Sequence, residues 1–140
     1  MNGRTCGLDL GAARVGVAVC DELGMMAHPR PTLDARDRRR LLADLRALAE
    51  REEIERFVVG LPLDMKGGEG DAAAKARALA EAIADATGVD VELWDERLTT
   101  MQAKRALEAS GVRGKKAKAS IDAAAAVAIL QSWLDARREA

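Results

Sequence analysis

The chain has 140 residues, of which 49% are hydrophobic and 32% charged, and this balance is typical of one globular domain with its own core. Its 22 lysines and arginines against 23 aspartates and glutamates give a net charge of −1, so any nucleic-acid site must be a local basic patch. The longest unbroken apolar run, 123–130, is far shorter than the roughly 20 residues of a membrane span. We therefore expect a single domain over residues 1–140 and no membrane partner.

The N-terminal residues and the cysteines bear on the compartment. The first residues, MNGRTCG, include no apolar segment of the kind found in signal peptides. Cys6 and Cys20 lie in apolar runs and form no CxxC or Cys/His motif, which predicts buried structural thiols in a reducing environment. We therefore expect a cytoplasmic protein. Because aromatic residues make up only 2% of the chain, a single-strand binder built on stacked aromatic side chains is disfavoured.

Short β-rich runs alternate with longer helical patterns along the chain, which predicts an α/β domain. Residues 4–10 and 15–21 are two apolar runs close enough to pair as an antiparallel hairpin, and a third strand is predicted near 25–28, before Pro29 and Pro31. Helical spacing of apolar residues predicts a helix over 35–52, with Asp34 as its cap and Asp37 in its first turn.

The second half of the chain continues the alternation. A continuous apolar run, 54–63, predicts a buried parallel strand, and a helix over 71–87 is ended by Gly88. A strand is predicted over 89–96, then a helix from Thr99 to before Gly111, then a last helix capped by Ser120. The order, ββ(β)αβαβαα, begins with a hairpin and therefore differs from a Rossmann fold.

Acidic residues occur at three places where they invite explanation. Asp9 interrupts an apolar strand, Asp95 and Glu96 end the last apolar strand, and Asp122 lies in the predicted first turn of the last helix. Each has a structural alternative: a turn residue for Asp9, a solvated pair with Arg97 for the second position, and a favourable helix-dipole charge for Asp122.

Together, the three positions can meet at one corner of the sheet. Three such anions repel one another unless a cation lies between them, and an all-carboxylate site suits Mg²⁺ or Mn²⁺. Paired metals of this kind activate water and stabilise the leaving oxygen in phosphodiester hydrolysis. The pattern therefore predicts a metal-dependent nuclease, with the choice between Asp95 and Glu96 left open.

Four sequence blocks, GLDLGAARVGVAV at 7–19, VVGLPLDMKG at 58–67, DERLTT at 95–100 and SIDAAAAVAIL at 120–130, resemble the signature blocks of the bacterial YqgF/RuvX family. Members of this family are named pre-16S rRNA nucleases and formerly carried the name Holliday junction resolvases. The resemblance implies an RNase H-like fold, with a five-stranded mixed sheet of three antiparallel strands followed by parallel ones, in which the first strand is central. It also implies that Asp9, Glu96 and Asp122 form the catalytic, metal-binding triad, and it favours RNA processing.

One departure bears on the substrate. RuvC resolvases carry a further metal-binding residue about one turn after the last aspartate, whereas here that turn reads Ala123 to Ala126. The resemblance therefore favours RNA, in 5′-end processing of pre-16S rRNA, over a branched DNA junction. Junction resolution remains the alternative, as does an RNA-binding factor of the same fold without catalysis. A phosphotransferase of the actin and hexokinase type is disfavoured because such proteins hold ATP between two domains.

Basic residues supply candidates for substrate binding. Arg14 follows Asp9 by five residues and is part of the DxGxxRxG block, where its guanidinium can hold a phosphate; pairing with a surface acid is the alternative. The densest basic segment leads into Asp122 and is predicted to bind the nucleic-acid backbone, with a solvated loop as the alternative. Its members are Lys104, Arg105, Arg113, Lys115, Lys116 and Lys118.

Three further features are assigned less specific roles. The arginines between 36 and 40 are expected on the exposed face of a helix, and His28 is expected at the surface or the core edge. The glycine-rich segment 64–70 follows a strand end and is predicted to be a substrate flap. Whether the protein is a monomer or a homodimer is left open.

Overall fold

The computed structural model describes residues 3–99 and 114–139, with side chains described for 3–99 and 123–138. The described residues form a five-stranded mixed sheet in the order β3-β2-β1-β4-β5. β1 is central, as predicted, with antiparallel β2 on one side and parallel β4 on the other. The strands are β1 Arg4–Leu10, β2 Arg14–Cys20, β3 Ala27–Asp34, β4 Ile54–Leu61 and β5 Asp90–Asp95.

Helices cover both faces of the sheet. On one face, α1 (Arg38–Arg51) and α2 (Asp71–Thr87) bury a core that includes Leu45, Phe57 and Ile83. On the other face, α3 (Gly114–Glu139) packs Ala126, Leu130 and Trp133 against the strands. Burial on both faces explains why β4 reads as a continuous apolar run rather than an alternating one. In the described part of the chain, no helix is long and apolar enough to cross a membrane.

Gly7 of β1 sets how closely α3 approaches the sheet. A Cβ built on Gly7 would lie 2.7 Å from Leu130 Cβ and 3.0 Å from the Ala126 carbonyl oxygen. Only a residue without a side chain leaves room for this contact. The contact also fixes the direction of α3. Ala126 lies over the middle of β1, whereas Trp133 and Leu134 lie beside Thr5, near the start of that strand.

The third strand is longer than predicted. It runs from Ala27 to Asp34 and includes Pro29 and Pro31, which were expected to end any ladder. β3 is an edge strand of the described sheet, where a proline can lack an N–H donor without breaking a pair on both sides. The pairing with β2 also shifts register between Val15 and Val17, opposite this region.

The predicted starts of two helices were wrong. Asp37, not Asp34, caps α1 and accepts a hydrogen bond from the Arg40 N–H, because Asp34 ends β3 and its carboxylate binds Arg36. α3 begins at Gly114, so Ser120 lies inside it rather than at its cap. The lysines and alanines before Ser120 are good helix formers, which explains why the helix starts sooner.

Other predictions agree with the structure. α2 has the predicted bounds, and Gly88 ends it in a left-handed conformation with φ 71°. Cys6 and Cys20 are buried free thiols, and burial strongly raises the pKa of the Cys6 thiol. His28 and the arginines of 36–40 are exposed. A helix was predicted to run from Thr99 to just before Gly111. All of this segment except Thr99 lies outside the described residues.

Candidate active site

The C-terminal ends of three parallel strands meet at one edge of the sheet. Asp9 is the penultimate residue of β1, and Glu96 follows the last residue of β5. β4 runs between these two strands and is parallel to both. The two acids therefore come from strands that are not neighbours, and any side chain of β4 on that face would separate them.

Gly60 occupies this intervening position on β4. A Cβ built on Gly60 would lie 2.8 Å from Glu96 Oε1 and 2.6 Å from Ile129 Cδ1. Because Gly60 has no side chain, the Glu96 side chain extends over β4 on the face that α3 covers. Gly60 was not among the residues singled out from the sequence, since its importance depends on a contact with a residue 36 positions away.

Glu96 is half-buried, and the charge of Asp9 affects its pKa. Burial is the largest cause that raises the pKa of Glu96 above its usual value, followed by the negative charges of Asp9 and Asp95. The negative charge of Asp9 is therefore near enough to raise the pKa of Glu96. Two carboxylates held in this way repel each other, and a cation bound between them would remove that repulsion.

Asp95 has a different environment from that of its neighbour. Its carboxylate accepts hydrogen bonds from the Arg97 backbone N–H at 2.9 Å and from Arg97 Nη2 at 2.7 Å. These hydrogen bonds lower the pKa of Asp95 and cap a short 3₁₀ turn, Glu96–Leu98. Asp95 is thus held by Arg97 as the structural alternative supposed, while Glu96 is the acid that faces Asp9.

Asp122 lies within α3, eight residues after its start, and not in the first turn as predicted from the sequence. The charge of the helix N-terminus therefore gives no account of this residue, because that effect is confined to the first turn. Its side chain lies outside the described set. Among the described side chains, no group of three or more His, Cys, Asp or Glu residues is placed to hold a metal ion.

The other residues predicted to bind substrate are only partly described. Arg14 is the first residue of β2, and its carbonyl accepts the Gly11 N–H at 3.0 Å, which closes the turn after Asp9. Lys104, Arg105 and Arg113 lie outside the described residues. The backbones of Lys115, Lys116 and Lys118 belong to the first turns of α3.

The segment 64–70 is organised by hydrogen bonds. Asp64 Oδ1 accepts the Lys66 N–H at 2.9 Å and the Gly68 N–H at 2.7 Å. Arg97 Nη1 donates to the Met65 carbonyl at 3.4 Å, so this arginine joins the end of β5 to the segment that follows β4. The sequence pointed to Arg97 only as a partner for nearby acids, and this link was missed because it joins residues far apart in the chain.

Comparison with known proteins finds similar sequences over almost the whole chain. The family model described as "RuvX: Holliday junction resolvase" matches residues 3–136. A protein from Anaeromyxobacter sp. (strain Fw109-5), named "Putative pre-16S rRNA nuclease", is 46% identical over 134 residues, which cover 96% of this chain and 98% of that protein. A Streptomyces coelicolor protein with the same name is 49% identical over 138 residues, covering 97% of this chain and 82% of the relative.

Solved structures agree on the fold. RuvC from T. thermophilus, in complex with a Holliday junction substrate, superposes with a TM-score of 0.63 at 17% identity and covers 98% of this chain and 96% of RuvC. A second T. thermophilus RuvC structure gives a TM-score of 0.58 at 19% identity. This likeness confirms the RNase H-like fold with its mixed sheet.

Proposed function

The chain belongs to the RuvX family and is a nuclease, and we propose that it cleaves RNA with a divalent metal held by Asp9, Glu96 and Asp122. The physiological substrate that we propose is the precursor of 16S rRNA, for which the relatives are named. The observation that carries the catalytic proposal is the approach of Glu96 to Asp9 across Gly60.

The direction of α3 supports the inclusion of Asp122. α3 runs antiparallel to β1, because its later residues lie toward the start of that strand and Ala126 lies over Gly7. Residues before Ala126 in α3 therefore lie toward the C-terminal end of β1, where Asp9 is located. Asp122 precedes Ala126 by about one helical turn. This direction favours convergence of three acids, from β1, the end of β5 and α3, on one corner of the sheet.

The donor set fits a hard cation. Carboxylate oxygens are the ligands that Mg²⁺ and Mn²⁺ prefer, and the mutual repulsion of Asp9 and Glu96 favours occupation by a cation. When bound, such an ion would activate the attacking water and stabilise the leaving oxygen of the phosphodiester. The three carboxylates would hold and orient the ion, and Gly60 leaves the space in which Glu96 can do so.

We propose that basic residues bind the substrate. We assign phosphate contacts to Arg14, at the turn after Asp9, and to the basic segment that leads into Asp122. The members of that segment are Lys104, Arg105, Arg113, Lys115, Lys116 and Lys118. A net charge of −1 makes this local patch, rather than the whole molecule, responsible for attraction.

Three considerations favour RNA over a four-way DNA junction as the substrate. The relatives at 46% and 49% identity are named for pre-16S rRNA. The turn after Asp122 offers no fourth acid, since residues 123–126 are all alanine. A resolvase must also cut two opposed strands, which requires a two-fold dimer, whereas one site suffices for a single RNA strand. We therefore place the protein in the cytoplasm, acting on RNA as a monomer or a homodimer.

The test compares substrates under identical conditions. Purified protein is incubated with single-stranded RNA, structured RNA and a four-way DNA junction, each with Mg²⁺, Mn²⁺ or chelator. We expect metal-dependent RNA cleavage that is lost in Asp9→Asn, Glu96→Gln and Asp122→Asn while each variant remains folded. Symmetric nicking of the junction at a higher rate than RNA cleavage would favour junction resolution. RNA binding without any cleavage would favour the non-catalytic alternative.

A further inference from the structure

A cavity of about 460 Å³ opens at the same sheet edge, on the face covered by α2. This volume falls in the range of about 300–1,000 Å³ that is usual for small-ligand pockets. The cavity is bounded by the end of β1 and the turn after it, by β4 and the residue after it, and by the first half of α2. Its lining includes Leu10, Gly11, Pro62, Ala72, Lys75 and Leu79.

The walls of the cavity are largely apolar and its mouth is charged. Leu10, Pro62 and Leu79 are half-buried, so each presents part of an aliphatic surface to the cavity. Asp71 and Lys75, one turn apart on α2, are exposed. Lys75 forms no salt bridge with any described residue, which leaves its ammonium available to an anionic group.

The cavity adjoins the proposed catalytic corner. Leu10 follows Asp9 directly in β1 and lines the cavity, so the two neighbouring side chains lie on opposite faces of the strand. Gly60 lines the cavity as well and contacts Glu96 on the other face. The thickness of one β-strand therefore separates the cavity from the two acids. Because Gly11 and Pro62 line the cavity just beyond the ends of β1 and β4, a nucleotide bound at the acids reaches the cavity around this edge of the sheet.

We propose that the cavity is a nucleobase subsite, which holds one unpaired base of the substrate strand beside the phosphate that is cleaved. This inference rests on the proposed function for its role in cleavage, although not for binding itself. The described lining has no aromatic side chain, so aliphatic walls cover the faces of the ring by apolar contact. Lys75 at the mouth contacts the other phosphate of that nucleotide, the one that is not cleaved.

Binding is tested without reference to cleavage. Two-dimensional NMR spectra of the backbone amides are recorded for the metal-free protein during titration with AMP, GMP, CMP or UMP. Ribose 5-phosphate serves as a probe that lacks the base. We expect shifts at Gly11, Ala72, Lys75 and Leu79 with at least one nucleotide and none of comparable size with ribose 5-phosphate. The absence of shifts at these residues, or equal shifts with ribose 5-phosphate, overturns the proposal.

A matched pair of variants fixes the location. Ala72→Phe places a ring in the cavity, whereas Ala74→Phe adds the same ring to an exposed position of α2 outside the cavity lining. We expect Ala72→Phe to weaken nucleotide binding on the order of tenfold, because the added ring occupies the space that the base would fill. Ala74→Phe should bind as the unmodified protein does. Equal effects of the two variants overturn the assignment of the site.

The link to cleavage is tested with RNA that carries a single abasic nucleotide, moved one position at a time past the cleaved bond. At one position we expect the missing base to slow cleavage by the unmodified protein and by Ala74→Phe. In Ala72→Phe, whose cavity is already filled by the ring, the missing base at that position should cause no additional slowing. Cleavage that is indifferent to the abasic position at every site contradicts the subsite while leaving the nuclease intact. Nucleotide binding in a protein that cleaves nothing contradicts the proposed function and leaves the subsite standing.

Discussion

The Glu96 carboxylate lies over Gly60 of the neighbouring strand, with Oε1 only 2.8 Å from the position that a Cβ on Gly60 would occupy. This contact lets an acid at the end of β5 reach one on β1 across the strand that separates them. Gly60 has no positive φ, so the backbone conformation does not require glycine here. The close approach of the Glu96 carboxylate does.

Replacing Gly60 with alanine tests this relationship. The added methyl group would displace both the Glu96 carboxylate and the Ile129 side chain, which are the flexible ends of their side chains. We expect a modest loss of stability, about 1–2 kcal/mol, and a disproportionate loss of cleavage, about tenfold or more. Gly70→Ala, where nothing lies within 4 Å of the added Cβ, serves as the control for stability. Full activity in a folded Gly60→Ala protein would contradict the assigned role.

The raised pKa of Glu96 predicts how stability depends on pH in chelator. The folded state binds a proton at Glu96 more readily than the unfolded chain does, so ionisation of this group destabilises the fold. The free energy of unfolding that protonated Glu96 contributes is therefore lost as the pH rises from the ordinary carboxyl pKa through the raised pKa. We expect metal-free Glu96→Gln to be more stable than the unmodified protein at neutral pH, with a difference that vanishes in acid. Chemical denaturation at several pH values measures it, and a constant difference would contradict the prediction.

The stability contributed by Glu52 should depend on pH in the opposite direction to that of Glu96. Its carboxylate accepts hydrogen bonds from Arg30 Nη2 at 2.7 Å and Nε at 2.9 Å, which ties the edge strand β3 to the end of α1 and lowers the pKa of Glu52. The stability from this pair is present above the ordinary carboxyl pKa and is lost as the pH falls through the lowered one. We expect Glu52→Gln to cost about 1–2 kcal/mol at neutral pH, since these are charge-assisted hydrogen bonds, and little in strong acid. Glu50→Gln, at an exposed helix pair with Arg46, should have almost no effect.

Arg97 is predicted to hold the segment 64–70 in place. Arg97→Gln removes the guanidinium donors to Asp95, leaves the backbone N–H donor in place, and weakens the contact with the Met65 carbonyl. Global stability should fall only slightly, because the Arg97 side chain is exposed. Limited digestion with trypsin should nevertheless cut faster after Lys66, which lies in the freed segment. Unchanged cleavage at Lys66, with Arg46→Gln as the matched arginine control, would show that the segment does not depend on Arg97.

RNA binding should depend on the lysines at the start of α3 rather than on the exposed arginines of α1. Each lost phosphate contact is expected to lower the slope of log K against log salt by roughly 0.7 on single strands or 0.9 on duplex. We expect this change when Lys115, Lys116 and Lys118 are replaced by glutamine, and little change when Arg38, Arg39 and Arg40 are. Binding titrations at several salt concentrations decide it, and equal losses from both triple variants would relocate the patch.

Several elements could be placed from local signals in the amino-acid sequence. The bounds of α2 follow from helical spacing and from Gly88, which adopts the left-handed conformation at its end. The hairpin and the buried strand β4 follow from short apolar runs, and the signature blocks located the acids within them. These features depend on backbone propensity and on burial of neighbouring residues, which a linear pattern records.

Other features depend on contacts between residues that are distant in sequence. Residue spacing left Asp95 and Glu96 equivalent and the family resemblance favoured Glu96, but the open space over Gly60, which admits the Glu96 side chain, is visible only in the assembled sheet. The prolines of β3 are tolerated because the fold places that strand at an edge, where an absent N–H leaves no partner unsatisfied. Pairing across a sheet joins residues that are far apart in the chain, so its consequences appear only when the strands are assembled.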